Sequence, residues 1–494
     1  MTIKSILKPV YVNPCRRDLL KQLAAMGVVG VSGVLGSSLI SAKEDHSALK
    51  DRSVWRKDAN YETHRRTMVW RSNTPSRYPD VMVQVKSEDE IKEALRFAIK
   101  NDLQVVCRAS GHNSAGAVLR NGGMLLDLSA LNDVSVNPQE MTAYVAPGTR
   151  MIQLTQALEQ HGLDFPTAEC HTVAFGGYLL GGGHAANGKH WGDGLSCYNV
   201  LSADVILASG EKVEVSENKY PELYWAIRGA GPGFFGIVTR FKIKLYAKPE
   251  TILKNTYLCP LDSLSEIISL FEKLEGTQDK RLETSVSIRR HPESPDELAA
   301  MVTLKAFVDA GPNSEAEAMA LLSAYSLSDV LSNAITKKEN QKLRMSDLKF
   351  TASPTDRQLQ DNFNTDKARA FLDIAKIHKQ LPASVKIFVL AMTFNSQIFP
   401  LRENSCYSGK GRHQILAIMH WTDENDDEAA KQFFTSFNET QKPHASSHYI
   451  NEVNNQQYPE RIRDSFSKQA WMRLIKLRHK YDPDQRFYSY LGYS

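Results

Sequence analysis

Several patterns that mark common enzyme classes are missing from this chain of 494 residues. It has no H-E-x-x-H pair of a zinc hydrolase and no Gly-x-Ser-x-Gly segment of a serine hydrolase, so we expect neither chemistry and no metal site. The cysteines number only six and have no C-x-x-C spacing, which argues against a metal finger. The net charge is only +4 and the basic residues are dispersed, so we expect no nucleic-acid partner.

The N-terminal segment differs from the rest of the chain. Arg16 and Arg17 precede the stretch 22–42, which carries no charge and is rich in Ala, Gly and Val. A basic start before a short, weakly apolar segment is typical of an export signal, and the arginine pair resembles a twin-arginine signal. We therefore expect residues 1–42 to be read by the twin-arginine export machinery, and the mature protein to be periplasmic or secreted. A buried amphipathic helix and an uncleaved membrane anchor are the alternatives.

Beyond Tyr78, short strands alternate with helices. A strand is predicted at 81–85, a capping box at 87–90 opens a helix, and Thr149 is predicted to cap a second helix that ends at Gly162. Further strands are predicted at 125–128, 144–146, 205–208, 212–215, 237–245, 285–288, 301–307, 384–393 and 414–421, and helices at 314–324 and 471–480. The pattern predicts an α+β fold, with a boundary near Pro249 and then a sheet covered by helices on one face.

His112 and Cys170 are nucleophilic side chains that each belong to a glycine-rich part of the chain. His112 lies in the segment 108–116, and Cys170 precedes two glycine runs at 176–177 and 181–183. Glycine lets the backbone approach a ligand closely, and successive N–H groups form an anion-binding concavity. The two segments together favour a planar, phosphate-bearing cofactor, although either one alone is more often an ordinary loop.

The order of these segments resembles that of flavoproteins of the vanillyl-alcohol oxidase superfamily, and more closely the berberine-bridge-enzyme-like oxidases. Residues 108–113 resemble the family's R-x-G-G-H segment, whose histidine bonds the flavin 8α-methyl group. Residues 168–177 resemble its G-x-C-P-T-V-G segment, whose cysteine bonds flavin carbon 6 in many members, with His171 here in place of proline. Three further segments extend the resemblance to about residues 76–249 and 445–494.

The resemblance implies a PCMH-type FAD-binding domain at 76–249, a second α+β substrate domain at 250–440, and a return to the FAD-binding domain at 441–494. It implies FAD bonded covalently to His112 and Cys170, with a single histidyl bond as the alternative. The residues that it places at the cofactor are Arg108, Ala109, Ser110, Gly111, His112, Asn113, Ser114, Cys170, Thr172, Val173, Gly176, Gly177, Gly181, Gly182, Gly183, Asn199, Gly236, Ile237 and Val238.

The resemblance also implies an oxidase that acts on an alcohol, a sugar or a related small molecule. In such enzymes a base removes a substrate proton, a hydride passes to flavin N5, and oxygen reoxidises the flavin to give hydrogen peroxide. Val173 stands where a small valine accompanies oxidase behaviour in the family, which favours oxygen as the acceptor. The alternatives are a flavin dehydrogenase that reduces a quinone or cytochrome, and a flavin-binding protein without catalysis.

Tyr449 is the candidate base, because residues 448–451 resemble the Y-x-N segment of several oxidases of this family. A phenol needs a lowered pKa to act near neutrality, so we expect a cation or a tight hydrogen bond beside Tyr449. Asn451 is expected to bind substrate or to orient Tyr449. A tyrosine that merely packs on a strand is the alternative.

Two further groups of residues leave their roles open. His184, His190 and Trp191 follow the second glycine run, and we expect them either to line the flavin or to lie on the surface. In an oxidising compartment the cysteines other than Cys170 could form one or two disulfides, which the sequence does not pair. The residues concerned are Cys107, Cys197, Cys259 and Cys406.

Overall fold

The computed structural model describes residue 49 and residues 51–185, 194–274, 279–294, 296–326, 328–348, 353–377, 381–382, 384–393 and 401–493. The predicted export signal at 1–42, together with His190 and Trp191, lies outside these described residues. The described residues belong to one compact unit. In this part of the chain, none of the helices combines the length and the apolarity that a membrane span requires.

Two main sheets are formed by the chain up to Ala247. Their strands, with one separate short pair, are β1 (Ser53–Trp55), β2 (Val81–Gln84), β3 (Val105–Arg108), β4 (Met124–Asp127), β5 (Val134–Asn137), β6 (Thr142–Val145), β7 (Leu163–Asp164), β8 (Val200–Ile206), β9 (Lys212–Ser216), β10 (Ile237–Lys244) and β11 (Tyr246–Ala247). The first sheet has the order β1-β2-β4-β3, the second is antiparallel with the order β5-β6-β10-β8-β9, and β7 pairs with β11. Because β3 is parallel to β4, Arg108 at its end lies beside Asp127.

Helices cover and connect the sheets. They are α1 (Tyr61–Thr67), α2 (Glu88–Lys100), α3 (Met151–Glu159), α4 (Phe175–Leu180), α5 (Pro221–Ala226), α6 (Leu264–Leu274), α7 (Ser314–Ser326), α8 (Asp329–Ser332), α9 (Ala370–Ile377), α10 (Asp427–Gln441), α11 (Arg461–Asp464) and α12 (Lys468–Tyr481). The predicted cap of α2 is confirmed, since the Ser87 hydroxyl accepts a hydrogen bond from the Glu90 N–H. The predicted Thr149 cap of α3 is wrong: Arg150 is the N-cap residue, and the Thr149 hydroxyl donates instead to the Asp133 carbonyl.

The third sheet has seven antiparallel strands and follows the first two in the chain. They are β12 (Thr251–Pro260), β13 (Leu282–Arg290), β14 (Leu298–Val308), β15 (Thr336–Lys342), β16 (Arg357–Thr365), β17 (Lys386–Thr393) and β18 (His413–Trp421), in the order β15-β12-β14-β13-β17-β18-β16. One face of alternating apolar residues, such as Val302 and Leu304, packs in a core with side chains of α6, α7, α9 and α10. The predicted α+β fold, with its helix-covered sheet, is confirmed.

The other face of the third sheet is turned toward the glycine-rich segments. Its polar side chains Lys305 on β14 and Gln414 on β18 contact Glu169 and His184. The end of the chain lies against the first sheet, where the Val105 N–H donates to the carbonyl of Arg486. Segments that are far apart in the sequence thus meet at the third sheet and at the start of β3.

Candidate functional site

The loop that follows β3 holds His112 in a fixed position. The Arg108 guanidinium forms a buried ion pair with Asp127, with Nη1 2.9 Å from Oδ1. Gly111 has a φ of +77°, and a Cβ there would overlap the Met68 carbonyl, so only glycine fits. The Trp70 ring stacks on the His112 imidazole with the ring centroids 4.8 Å apart.

The His112 loop and the Cys170 loop are joined by two hydroxyl groups. The Ser110 Oγ accepts a hydrogen bond of 2.9 Å from the Ala174 N–H, which gives a role to serine at a position where the family often has glycine. The Thr172 Oγ1 lies 2.9 Å from His112 Nε2 and 3.3 Å from Cys170 Sγ. The two predicted anchors therefore contact the same hydroxyl.

The surroundings of His112 keep its imidazole neutral. Burial, with the positive charges of Arg108 and Arg150, lowers the pKa of His112 to about 3. At neutral pH one ring nitrogen therefore carries a lone pair, as a nucleophile requires. The Arg150 guanidinium lies over the Trp70 ring, 5.7 Å from its centroid.

Unpaired hydrogen-bond donors line the same loop. Within the part of the chain that the structure describes, the backbone N–H groups of residues 111–115 donate no hydrogen bond, and the buried Ser114 hydroxyl has no partner. Beside the Cys170 loop, Gly177 is exposed, and a Cβ there would meet no atom within 4 Å. A run of free N–H groups with a hydroxyl is the donor set that phosphate groups need. These residues therefore fit the FAD that the resemblance implies.

Three side chains approach the second glycine run closely. A Cβ at Gly181 would overlap the Asn451 side chain, one at Gly182 would lie 2.8 Å from Tyr407, and one at Gly183 would lie 2.8 Å from Tyr178. These glycines let three side chains approach the backbone, and their predicted role in cofactor binding stays a prediction. Because glycine lacks a Cβ atom, either a cofactor or a side chain can approach its backbone, and the sequence does not distinguish the two.

The remaining predicted cofactor residues lie in several parts of the fold. Asn113 donates a hydrogen bond to the Asn451 carbonyl, and a Cβ on Gly176 would lie 3.4 Å from the Ala109 Cβ. The Val173 carbonyl accepts from the Met151 N–H. Four others belong to the second sheet and its approach: Asn199, Gly236, Ile237 and Val238.

Tyr449 is buried and hydrogen-bonded, but its phenol is not activated. Its oxygen accepts hydrogen bonds from the Gly183 N–H at 3.2 Å and from Asn451 Nδ2 at 3.1 Å. Burial and the negative charge of Glu452 nevertheless raise the pKa of Tyr449 well above its usual value, so the predicted lowering is wrong. Asn451 also donates to the Gly177 carbonyl, and it therefore orients Tyr449 against the glycine segments.

A network of side chains surrounds Tyr449, and of its members the sequence singled out only His184, as a residue at the flavin or on the surface. The His184 ring stacks on the Tyr449 ring with centroids 4.0 Å apart, and its nitrogens lie 3.0 Å from Gln414 Oε1 and from the Tyr407 hydroxyl. Gln414 Nε2 donates to Glu452 Oε2 at 3.3 Å, and burial raises the pKa of Glu452 to about 7. The only sequence signal for Glu452 is its place three residues after Tyr449.

Lys305 ties the third sheet to the Cys170 loop. Its Nζ lies 3.0 Å from Glu169 Oε1 and 2.8 Å from Glu283 Oε1. Burial lowers the pKa of Lys305, but the two carboxylates outweigh burial and raise it above its usual value. The residue before Cys170 is thereby held against β14.

The five described cysteines are all free thiols, so the disulfides considered from the sequence are not formed among them. Burial raises the pKa of Cys107 to about 12 and, against the nearby arginines, that of Cys197 to about 12 as well. Such thiols stay protonated and unreactive at neutral pH.

Comparisons with known proteins agree with the cofactor and the fold. An FAD binding domain family matches residues 79–216. FAD-linked oxidoreductase penO of Penicillium crustosum is 31% identical over 222 residues, which are 45% of this chain and 49% of that protein. The (R)-6-hydroxynicotine oxidase of Paenarthrobacter nicotinovorans is 31% identical over 196 residues, which are 40% and 42% of the two chains. This chain thus spans about half the length of the curated relatives it matches.

Solved structures match over a greater length at lower identity. Berberine bridge enzyme from Eschscholzia californica has a TM-score of 0.73 and 19% identity, covering 90% of this chain and 97% of that chain. This likeness shows the fold. The protein therefore contains an FAD binding domain over residues 79–216 and has the fold of the berberine bridge enzyme-like flavoproteins.

Proposed function

We propose that the protein is an FAD-dependent oxidase whose flavin is bonded to His112 and Cys170. It oxidises an alcohol, a sugar or a related small molecule and passes the electrons to oxygen, which yields hydrogen peroxide. The observation that carries this proposal is that His112 Nε2 and Cys170 Sγ both contact the Thr172 hydroxyl. The flavin 8α-methyl group and carbon 6 lie on the same edge of the ring system, so two anchors on one flavin must be neighbours. Relatives named as oxidoreductases and oxidases support the reaction class.

The chain supplies the groups that hold and position the reactants. The N–H groups of residues 111–115 and the Ser114 hydroxyl would hold the phosphates, and His112 offers a neutral imidazole for the covalent bond. When bound, the flavin supplies an acceptor for the two electrons of a hydride. The raised pKa keeps Tyr449 protonated, so its phenol donates a hydrogen bond to the substrate rather than removing a proton. Asn451 fixes the direction of that phenol.

The covalent bonds can be tested by acid denaturation and intact-mass measurement. The wild-type precipitate should stay yellow and carry the mass of one FAD, and Cys170→Ala should keep the flavin through His112 alone. A matched control is Cys107→Ala, which removes another free thiol and should leave the flavin in place. Flavin bound covalently in His112→Ala but lost in Cys170→Ala would contradict the assignment of the primary bond. A protein without any flavin would contradict the proposed function itself.

The electron acceptor and the substrate class need a separate experiment. A panel of sugars, alcohols and amines is mixed anaerobically with the holoenzyme, and bleaching of the flavin identifies a substrate. Air is then admitted, and the rate of reoxidation and the peroxide yield are measured. Reoxidation much slower than turnover with an artificial acceptor would replace the oxidase by a dehydrogenase that reduces a quinone or cytochrome. A flavin that nothing bleaches would favour a flavin-binding protein without catalysis.

We also propose that the protein is exported through the twin-arginine machinery. The support is the sequence alone, in which Arg16 and Arg17 precede an uncharged stretch. Export of an already folded protein suits a cofactor that must be attached before crossing the membrane. Replacement of both arginines by lysine should keep the protein in the cytoplasmic fraction. Unchanged fractionation would refute this route.

A further inference from the structure

A chain of hydrogen bonds ends on the Glu452 carboxyl. The Tyr407 hydroxyl lies 3.0 Å from His184 Nε2, His184 Nδ1 lies 3.0 Å from Gln414 Oε1, and Gln414 Nε2 lies 3.3 Å from Glu452 Oε2. His184 lies in the glycine segment after α4, and Gln414 lies on β18. Tyr407 precedes β18, and Glu452 follows α10. They meet against Tyr449, whose ring stacks on His184.

The amide of Gln414 sets the donor and the acceptor of every hydrogen bond in this series. Because its nitrogen donates to Glu452, its oxygen must accept, and His184 therefore carries its proton on Nδ1. His184 Nε2 is then the acceptor for the Tyr407 hydroxyl. Burial lowers the pKa of His184 to about 4, so this tautomer stays neutral. All donors point toward Glu452, which favours its ionised form.

Among the residues that the structure describes, the Glu452 carboxyl has no neighbouring charge that would fix it as an anion. The titratable groups that face it are the phenols of Tyr178, Tyr407 and Tyr449, with His184 one residue further away through Gln414. Burial raises the pKa of each phenol, so all three are neutral.

The second oxygen of this carboxyl is left open. Among the described residues, Glu452 pairs with no lysine or arginine, and its Oε1 makes no hydrogen bond. Burial without a cation disfavours the carboxylate, while the hydrogen-bond chain favours it. The two effects leave a carboxyl that can change protonation state near neutral pH and whose Oε1 has no hydrogen bond within the described part of the chain.

We propose that Glu452 is the proton acceptor of this site, and that Gln414 and His184 are its positioning residues. Glu452 takes the proton from the substrate hydroxyl or amine, so that the O–H or N–H bond breaks and its electron pair stays on the heteroatom. That pair forms the new C=O or C=N bond as the hydride leaves the adjacent carbon for the flavin. The last step rests on the proposed function, in which the bound FAD is the oxidant. Tyr449, a neutral hydrogen-bond donor, orients the substrate in this scheme.

The protonation of Glu452 can be measured without any substrate. Infrared spectra of the full-length protein are recorded between about pH 5 and pH 9, a range that brackets neutrality. A carboxylic-acid C=O band should titrate near pH 7 and disappear in Glu452→Gln. Gln414→Leu removes the donor to Oε2 and should move the midpoint to higher pH. The control Glu140→Gln, at an exposed residue paired with Lys242, should keep the wild-type band. A spectrum without any band that Glu452→Gln removes would overturn the proposal.

The role in the reaction is tested by single-turnover bleaching of the flavin under anaerobic conditions. The probe is the first sugar, alcohol or amine of the panel that bleaches the wild-type flavin. The wild-type rate should rise with pH through about 7, and Glu452→Gln should be slower by a factor of about 10²–10⁴, as expected for loss of a general base, at unchanged flavin content. Glu452→Asp should restore part of the rate, and Glu140→Gln should behave as wild type.

The outcomes separate this proposal from the proposed function. A Glu452→Gln variant that bleaches at the wild-type rate with the wild-type pH profile would overturn the role of Glu452 while leaving the flavin reaction intact. A wild-type protein whose flavin no compound bleaches would instead refute the proposed function. In that case the infrared titration still decides whether Glu452 changes protonation state near neutrality.

Discussion

Replacing each of two adjacent glycines of α4 by alanine should change the free energy of unfolding in opposite directions. A Cβ at Gly176 would lie 3.0 Å from the Pro147 Cβ and 3.2 Å from the Pro147 carbonyl oxygen. A Cβ at Gly177 would meet no atom within 4 Å, and its backbone is exposed beside the Cys170 loop. Neither glycine has a positive φ, so alanine suits the backbone at both positions.

The expected changes in the free energy of unfolding follow from these distances. Alanine is favoured over glycine inside a helix by about 0.8–1 kcal/mol. Gly177→Ala should therefore stabilise the flavin-free protein by at most about 1 kcal/mol, since nothing opposes the methyl group. At Gly176 the contact with Pro147 costs about 1–3 kcal/mol, as overpacking in a core does, and this outweighs the gain. Gly176→Ala should thus be destabilised by up to about 2 kcal/mol.

Gly177→Ala should raise the stability of the flavin-free protein but lower the amount of flavin that the protein binds. If the open space above Gly177 belongs to the cofactor, Gly177→Ala should be more stable than wild type without flavin and yet carry less flavin per protein. Urea unfolding of protein from flavin-deprived cells measures the stability, and the flavin absorbance of protein from replete cells measures the loading. Gly311→Ala is the control, because it also places its Cβ in open space but lies in the loop after β14. Full loading of Gly177→Ala would refute the placement of the cofactor beside this glycine.

Two further predictions concern buried charge. The pKa of His112 is about 3 in the folded protein and 6.5 ordinarily, so the unfolded chain binds the proton first, and the free energy of unfolding should fall as the pH decreases from about 6.5 to about 3. Urea unfolding of flavin-free protein at a series of pH values should show a smaller fall for His112→Gln, and an identical fall would contradict the burial of a neutral imidazole. Lys305→Met should lower the free energy of unfolding by about 2–3 kcal/mol, below the ~3–5 kcal/mol of a fully buried pair because Glu169 is partly exposed. Thermal unfolding of Lys305→Met beside Lys242→Met, a partly exposed lysine, checks this value, and equal losses would refute it.

Local elements followed closely from local patterns. Strands were predicted at 205–208 and 212–215, and β8 and β9 pair antiparallel across the turn at Gly210. The capping box at Ser87 predicted the start of α2. These signals act between residues a few positions apart, so the sequence is enough to read them. The exception, Thr149, has its hydroxyl engaged by the Asp133 carbonyl, a partner from another segment.

The sequence by itself determined that His112 and Cys170 lie in glycine-rich loops, and it located some of the strands and helices, such as β10 and α12. Only the tertiary structure decided that both side chains meet at the Thr172 hydroxyl. It also decided the protonation of the Tyr449 phenol and the Glu452 carboxyl, since burial raises the pKa of both groups. A pKa depends on the water and charges around a group, and here the surrounding residues come from positions more than 200 apart in the chain, such as His184 and Gln414. These pKa values therefore cannot be inferred from residue type and spacing alone.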